Sequence, residues 1–360
     1  MKKPWPRYLA NNSLILFNLI TLFGLWILLL SGLPAAADIL GHGGMVRALA
    51  VSPDGSRVLT GSFDFTAKIW NFGDQSEQGE LADHTGPVNA VAFLPDGRRA
   101  VTAGGDGATI VWDLDGGRAL RTLNGHRSKI VAVAVTPDGR RLATASWDRT
   151  ARLWDLETGR QILSLKHPAP VNAVAFGADG ATLVTGGHDG VVRVWDAETG
   201  RSRGRVTGHG MGITQLAVSP DGRRLLSSGI DNKIRLWDLT RFAEIRAFEM
   251  HDSHVLSATF SPDGRTALSG DRDGVLLHLD LNTGHVLKAI VAHKAMIWNV
   301  RFSPDGRFAL TASSDESVRV WHLETGDRIG EAAPDDDTPK PWLGLPPLSG
   351  PRSKLEFGAV

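Results

Sequence analysis

A histidine that keeps coming back at one interval constrains this chain more than any other feature. From His42 it recurs at His84, His126, His167, His209, His251 and His293, with spacings of 42, 42, 41, 42, 42 and 42 residues. An aspartate follows each by 22 residues, at Asp64, Asp106, Asp148, Asp189, Asp231, Asp273 and Asp315. Six residues beyond each aspartate stand Trp70, Trp112, Trp154, Trp195, Trp237, Leu279 and Trp321, so only the sixth copy lacks the indole. The one missing residue falls between Trp154 and His167, outside the His-to-Trp unit. Spacing is therefore fixed inside the unit and loose outside it, as expected where each copy is one structural element stacked on the next.

Within each copy the pattern is that of short strands. The stretch from Val88 to Asp113, VNAVAFLPDGRRAVTAGGDGATIVWD, alternates apolar and small or polar residues around a Pro-Asp-Gly turn, which argues for hairpins. The turn recurs with Gly55, Gly97, Gly139, Gly180, Gly222, Gly264 and Gly306 at its corner, and only the fourth copy, GADG, has lost the proline. Forty-one glycines agree with an all-β chain rich in tight turns. Four strand-length pieces repeated every 42 residues predict the blades of a propeller, and seven of them predict a closed ring.

Here the chain resembles the WD40-repeat β-propeller family, in its exported or membrane-anchored bacterial form. The resemblance rests on Gly-His at Gly41-His42, Gly125-His126 and Gly208-His209, and on Trp-Asp at Trp112-Asp113, Trp154-Asp155, Trp195-Asp196 and Trp237-Asp238. It covers residues from about 36 to 332, with departures such as Asp83-His84, Lys166-His167, Met250-His251, Ala292-His293, Trp70-Asn71, Leu279-Asp280 and Trp321-His322. It implies that each blade is braced by a hydrogen-bonded tetrad of His, Ser or Thr, Asp and Trp. A hydroxyl stands four residues before every repeat aspartate, at Thr60, Thr102, Thr144, Thr185, Ser227, Ser269 and Thr311. Blade six, without the indole, is expected to be the loosest. The resemblance also implies that a strand ahead of His42, through Ile39, completes the seventh blade; Ile329 in ETGDRIGEAA is the competing candidate.

The ends read differently. Lys2, Lys3 and Arg7 precede an uncharged stretch from Leu14 to Leu33, broken only by Asn18, Thr21 and Ser31. About 20 apolar residues suffice to span a bilayer, and the basic flank stays on the cytoplasmic side. Residues 1–34 are thus expected to form a transmembrane anchor or a signal peptide. Ala35 and Ala37 in SGLPAAAD form an A-x-A pair suited to cleavage before Asp38. In both readings the propeller is extracytoplasmic, tethered to the membrane or released to the periplasm. Residues 333–360 hold six prolines and no period, the composition of an extended or disordered tail in which Trp342 is a candidate docking residue.

Composition and motifs turn attention away from catalysis. Lysine plus arginine and aspartate plus glutamate both total 39, so no general attraction to nucleic acid is expected. The chain has no cysteine, which removes disulfides, thiolate metal sites and covalent haem attachment. One histidine and one aspartate per blade cannot converge on one metal or proton, and neither a metal-binding histidine spacing nor a nucleophile elbow is present. No cofactor is expected. The resemblance implies instead a top face built from the residue before each repeat aspartate and the residue five after each histidine. Trp147, Trp298, Phe63, Arg47, Arg272 and His188 are the large or charged members of those two sets. Trp154 stays in register with the other repeat tryptophans and reads as structure, whereas Trp147 is unique at its place. The function implied is a non-catalytic scaffold that binds a protein or peptide on this face. The alternative is an accessory or cofactor-binding subunit of an exported enzyme or redox system.

Overall fold

Runs such as Val88–Phe93, VNAVAF, suit a pleated and half-buried strand because branched side chains pack there at little entropic cost. Seven such runs form the innermost strands of seven antiparallel sheets in the computed structural model, which describes residues 38–329. The segment expected to be an N-terminal helix and the proline-rich tail lie outside the described residues. Among the described residues no helix is long and apolar enough to cross a membrane.

Blade one shows the plan, with strands Val46–Val51, Arg57–Ser62, Ala67–Asn71 and Glu77–Leu81 ordered from the channel outward. The Ser-Pro-Asp-Gly turn joins the first two strands. Gly55 N–H donates to the Ser52 carbonyl at 2.9 Å, and φ is 74° at Gly55, a left-handed value that only glycine holds without strain. Around the lower face each of these glycines meets the proline of a neighbouring blade. A Cβ on Gly139 would lie 3.1 Å from Pro95, and one on Gly55 would lie 3.4 Å from Pro304 across the seam between blades one and seven. Blade four breaks the series, because Ala178 stands where the proline would be and faces Gly222.

The core lies between blades. Trp112 of blade two packs against Leu59, Ile69 and Leu81 of blade one, Trp237 of blade five packs against Val184 and Val194 of blade four, and Trp321 joins Leu268 and Leu276 of blade six. Each sheet thus covers the apolar face of its neighbour, and burying a large side chain stabilises the fold by about 1.5–3 kcal/mol.

The seventh sheet has three continuous strands, Ile297–Phe302, Phe308–Ser313 and Val318–His322, and both ends of the described chain supply its outer edge. Ile39 exchanges backbone hydrogen bonds with Val318, at 3.1 and 3.3 Å. Lower down the same strand Arg328 bridges Trp321, and Ile329 N–H donates to the Val320 carbonyl at 2.8 Å. The two candidate closures are therefore halves of one edge. Asp38 clasps them, accepting from Arg328 and lying 3.4 Å from Nε of Arg319.

Candidate functional site

In blade one the repeat residues form a chain whose direction is set by its ends. The Trp70 indole can only donate, and it reaches Thr60 Oγ1 at 2.8 Å; Thr60 lies 2.7 Å from His42 Nε2, and His42 Nδ1 lies 2.8 Å from Asp64. The hydroxyl accepts from the indole and donates to the imidazole, leaving a neutral histidine whose Nδ1–H donates to the carboxylate. The same chain runs through His84, Thr102, Asp106 and Trp112; through His126, Thr144, Asp148 and Trp154; through His209, Ser227, Asp231 and Trp237; and through His293, Thr311, Asp315 and Trp321. Burial alone would raise the Asp148 carboxyl, but bonds from Thr150, His126 and the Arg127 N–H hold it down to about 2.

Two blades depart from the spacing. In blade four Asp189 does not meet His167; it pairs with Arg193 at 2.6 Å, and His167 Nδ1–H donates to the Leu165 carbonyl at 3.1 Å. In blade one the Gly43 N–H after the histidine also donates to the aspartate at 2.9 Å, a bond that Pro168 cannot make. Trp195 and His167 still converge on Thr185, each at 2.8 Å. Burial, without a carboxylate bond to oppose it, lowers His167 to about 4.

In blade six the carboxylate that His251 meets is Asp271, at 2.8 Å, and not Asp273. Asp271 ends the second strand, is 2% exposed, and also accepts the backbone N–H groups of Asp273 and Val275. Asp273 is exposed. Leu279 is fully buried, and Met250, in the place of the Gly-His glycine, packs against the same cluster. At the equivalent Gly208 an added Cβ would lie 2.7 Å from the Trp237 ring, whereas Asp83, Lys166 and Ala292 occupy this place in blades that keep the tryptophan. Blade six keeps its packing and lacks only the indole donor to Ser269.

The upper mouth of the channel is shaped by a bulge repeated in every blade. Val46 pairs with Ser62 and Ala48 with Gly61, leaving Arg47 as the extra residue. The same shift singles out Asn89, Val131, Asn172, Thr214, Leu256 and Trp298. A bulge re-aims its unpaired side chain, and all seven line a cavity of about 440 Å³. Three of them brace the ring: Asn89, Asn172 and Thr214 donate to the carbonyls of Ile130, Ile213 and Val255 in the next blade, at 2.9, 2.8 and 2.6 Å. Arg47 instead lies over the Trp298 ring, 4.9 Å from its centroid, and Trp298 donates to Ser314 at 2.7 Å.

Of the six residues singled out from sequence, Arg47, Trp147, His188 and Trp298 meet around this cavity. Trp147 is 38% exposed; it donates to Asn172 at 3.1 Å, meets His188 edge to face at 5.2 Å, and carries the Lys129 ammonium 3.4 Å above its ring. Phe63 and Arg272 are not part of the wall, Phe63 being half-buried and Arg272 exposed. Sequence reasoning missed Lys129, His254, Asn299 and Arg301, which also line it. For Arg301 a signal existed: the equivalent position in the other first strands is Ala50, Ala92, Ala134, Ala175, Ala217 and Thr259. Among the described residues no three His, Asp or Glu side chains gather as metal ligands would.

A family model described as "WD domain, G-beta repeat" matches residues 36–71, 75–113, 117–155, 159–196, 200–238, 242–278 and 284–322. A search of the curated proteins finds no match.

Proposed function

This chain belongs to the WD40 repeat family, and from that premise we propose that it is a non-catalytic scaffold whose upper face binds a protein or peptide outside the cytoplasm. Propellers of this family are typically protein-interaction scaffolds. The observation that carries the choice of face is the convergence of Trp147 and Trp298, each unique in its register, on the mouth of one channel together with Arg47 and His188. Aromatic and arginine side chains on a partly exposed rim are the groups that dominate binding energy in protein interfaces. The location rests on the uncharged stretch from Leu14 to Leu33 behind Lys2, Lys3 and Arg7, acting as a membrane anchor or, with a cut after Ala37, as an export signal. Phe63 and Arg272, outside the cavity wall, have a lesser part in this reading.

The test compares capture of partners from solubilised membranes by the intact chain and by a Trp147→Ala, Trp298→Ala double variant. The double variant should lose a partner that the intact chain retains; equal recovery by both removes the upper face from consideration. Protease added to cells with an opened outer envelope should digest the propeller, and full protection would place it on the cytoplasmic side.

A further inference from the structure

The upper half of the channel holds three cations and no carboxylate. Arg47, Lys129 and Arg301 all line the 440 Å³ cavity, to whose wall no aspartate or glutamate contributes. Elsewhere three arginines that lie against the sheets are answered by carboxylates, Arg193 by Asp189 at 2.6 Å, Arg319 by Asp315 at 3.5 Å and Arg152 by Asp148 at 3.6 Å, while Arg57, Arg141 and Arg224 donate to backbone carbonyls. Among the described residues none of the three channel cations makes an ion pair. Arg47 and Lys129 rest on tryptophan rings, and Arg301 donates to the Val300 carbonyl at 2.9 Å, which leaves most of its five N–H donors unused by protein.

Their positions are graded. Lys129 and Arg47 stand at the rim beside Trp147 and Trp298. Arg301 lies deeper, lining both the upper cavity and the lower one of about 700 Å³, whose wall includes Pro53, Pro95 and Pro304. Both guanidiniums face the lumen but are hemmed in by protein, and the loss of bulk water lowers each to about 10, still charged at neutral pH. Burial, together with the charge of Arg47, also lowers Lys129. A desolvated cation without a counter-ion is costly to a fold, and its removal in favour of an apolar group is commonly neutral or stabilising. Such a group kept in the lumen is a site prepared for an anion.

We propose that the upper channel is an anion throat that takes a glutamate or aspartate side chain of an acidic peptide, directed at Arg301 from a segment lying across the mouth. This rests on the reading of the upper face as a peptide-binding surface and adds the chemistry of what enters it. Trp147 under Lys129 and Trp298 under Arg47 form two shelves on which apolar residues flanking the carboxylate pack. A free small anion would satisfy the cations but leave the exposed shelf of Trp147 without a function, and this favours a peptide.

The test is calorimetric titration of the full chain with an acetylated, amidated peptide alternating glutamate and leucine, with its glutamine counterpart, and with citrate. The acidic peptide should bind, weakening about tenfold or more from low to high salt, because its charge contacts are screened. The glutamine peptide should give no heat. Arg301→Met should weaken the acidic peptide about tenfold or more while its thermal midpoint stays level or rises, and Arg301→Lys should restore binding to within about threefold. Equal binding of both peptides overturns the throat and leaves the peptide-binding face standing. Citrate binding that Arg301→Met abolishes, with no binding of the acidic peptide, overturns the peptide as occupant. Acidic-peptide binding unchanged in the Trp147→Ala, Trp298→Ala variant counts against the upper-face reading itself.

Discussion

His167 shows how the loss of one partner decides the state of a side chain. Its partner aspartate is present in sequence, but Asp189 turns to Arg193, and Pro168 has no N–H to offer the carboxylate. The imidazole is left buried and neutral, lowered to about 4 from an ordinary value of 6.5. Between those values the unfolded chain binds a proton that the folded chain does not. Stability contributed by this group is therefore intact above about pH 6.5 and is lost as pH falls toward 4, by about 3 kcal/mol in all. Urea midpoints measured from pH 7.5 down to 4 should fall less steeply for His167→Gln than for the unaltered chain. Identical profiles would mean that the imidazole is not held neutral. Met250 and Leu279, two departures from pattern in one blade, pack in the same buried cluster.

At the scale of the element, the turn between the first two strands is both a local and a neighbour-dependent unit. Its glycines hold φ between 64° and 74°, which the sequence motif alone demands. Its prolines do more, since each lies against the corner glycine of an adjacent blade, and blade four forgoes that contact at Ala178. Ala178→Pro should stabilise the chain by about 0.4–1 kcal/mol, by restricting the unfolded state and adding contact with Gly222, readable as a higher denaturant midpoint with unchanged slope. A lower midpoint would show that the backbone at this corner differs from its six counterparts. The bulge in each first strand is the other element of consequence. Its trace in the sequence is a step of three between large apolar residues, as from Val88 to Val91 and from Ile297 to Val300, and it is what turns seven side chains into the channel mouth.

For the whole molecule the decisive contact is the one that makes a ring from a row. Asp38 and Ile39 from one end and Arg328 and Ile329 from the other share the outer edge of blade seven, so neither end alone completes it. Deleting residues 1–40 removes Ile39, a buried core residue, together with the Asp38 clasp, and should cost about 2–4 kcal/mol. Deleting 1–37 should leave the denaturant midpoint where it was. Equal midpoints for the two truncations would show that the C-terminal half of the edge closes the ring unaided.

Sequence by itself determined the number of blades, the turn glycines and most of the bracing hydrogen bonds, because these follow from contacts inside one 42-residue copy whose spacing cannot vary without breaking them. It also separated Trp147 from Trp154, one outside the repeated register and one within it. Tertiary structure alone decided which aspartate serves His251, how both ends share blade seven, and that Arg47, Lys129 and Arg301, 82 to 254 residues apart in sequence, face one another without a carboxylate between them. Those outcomes depend on which groups of different blades meet when the ring closes, and a repeat, however regular, encodes only what recurs within each turn of it.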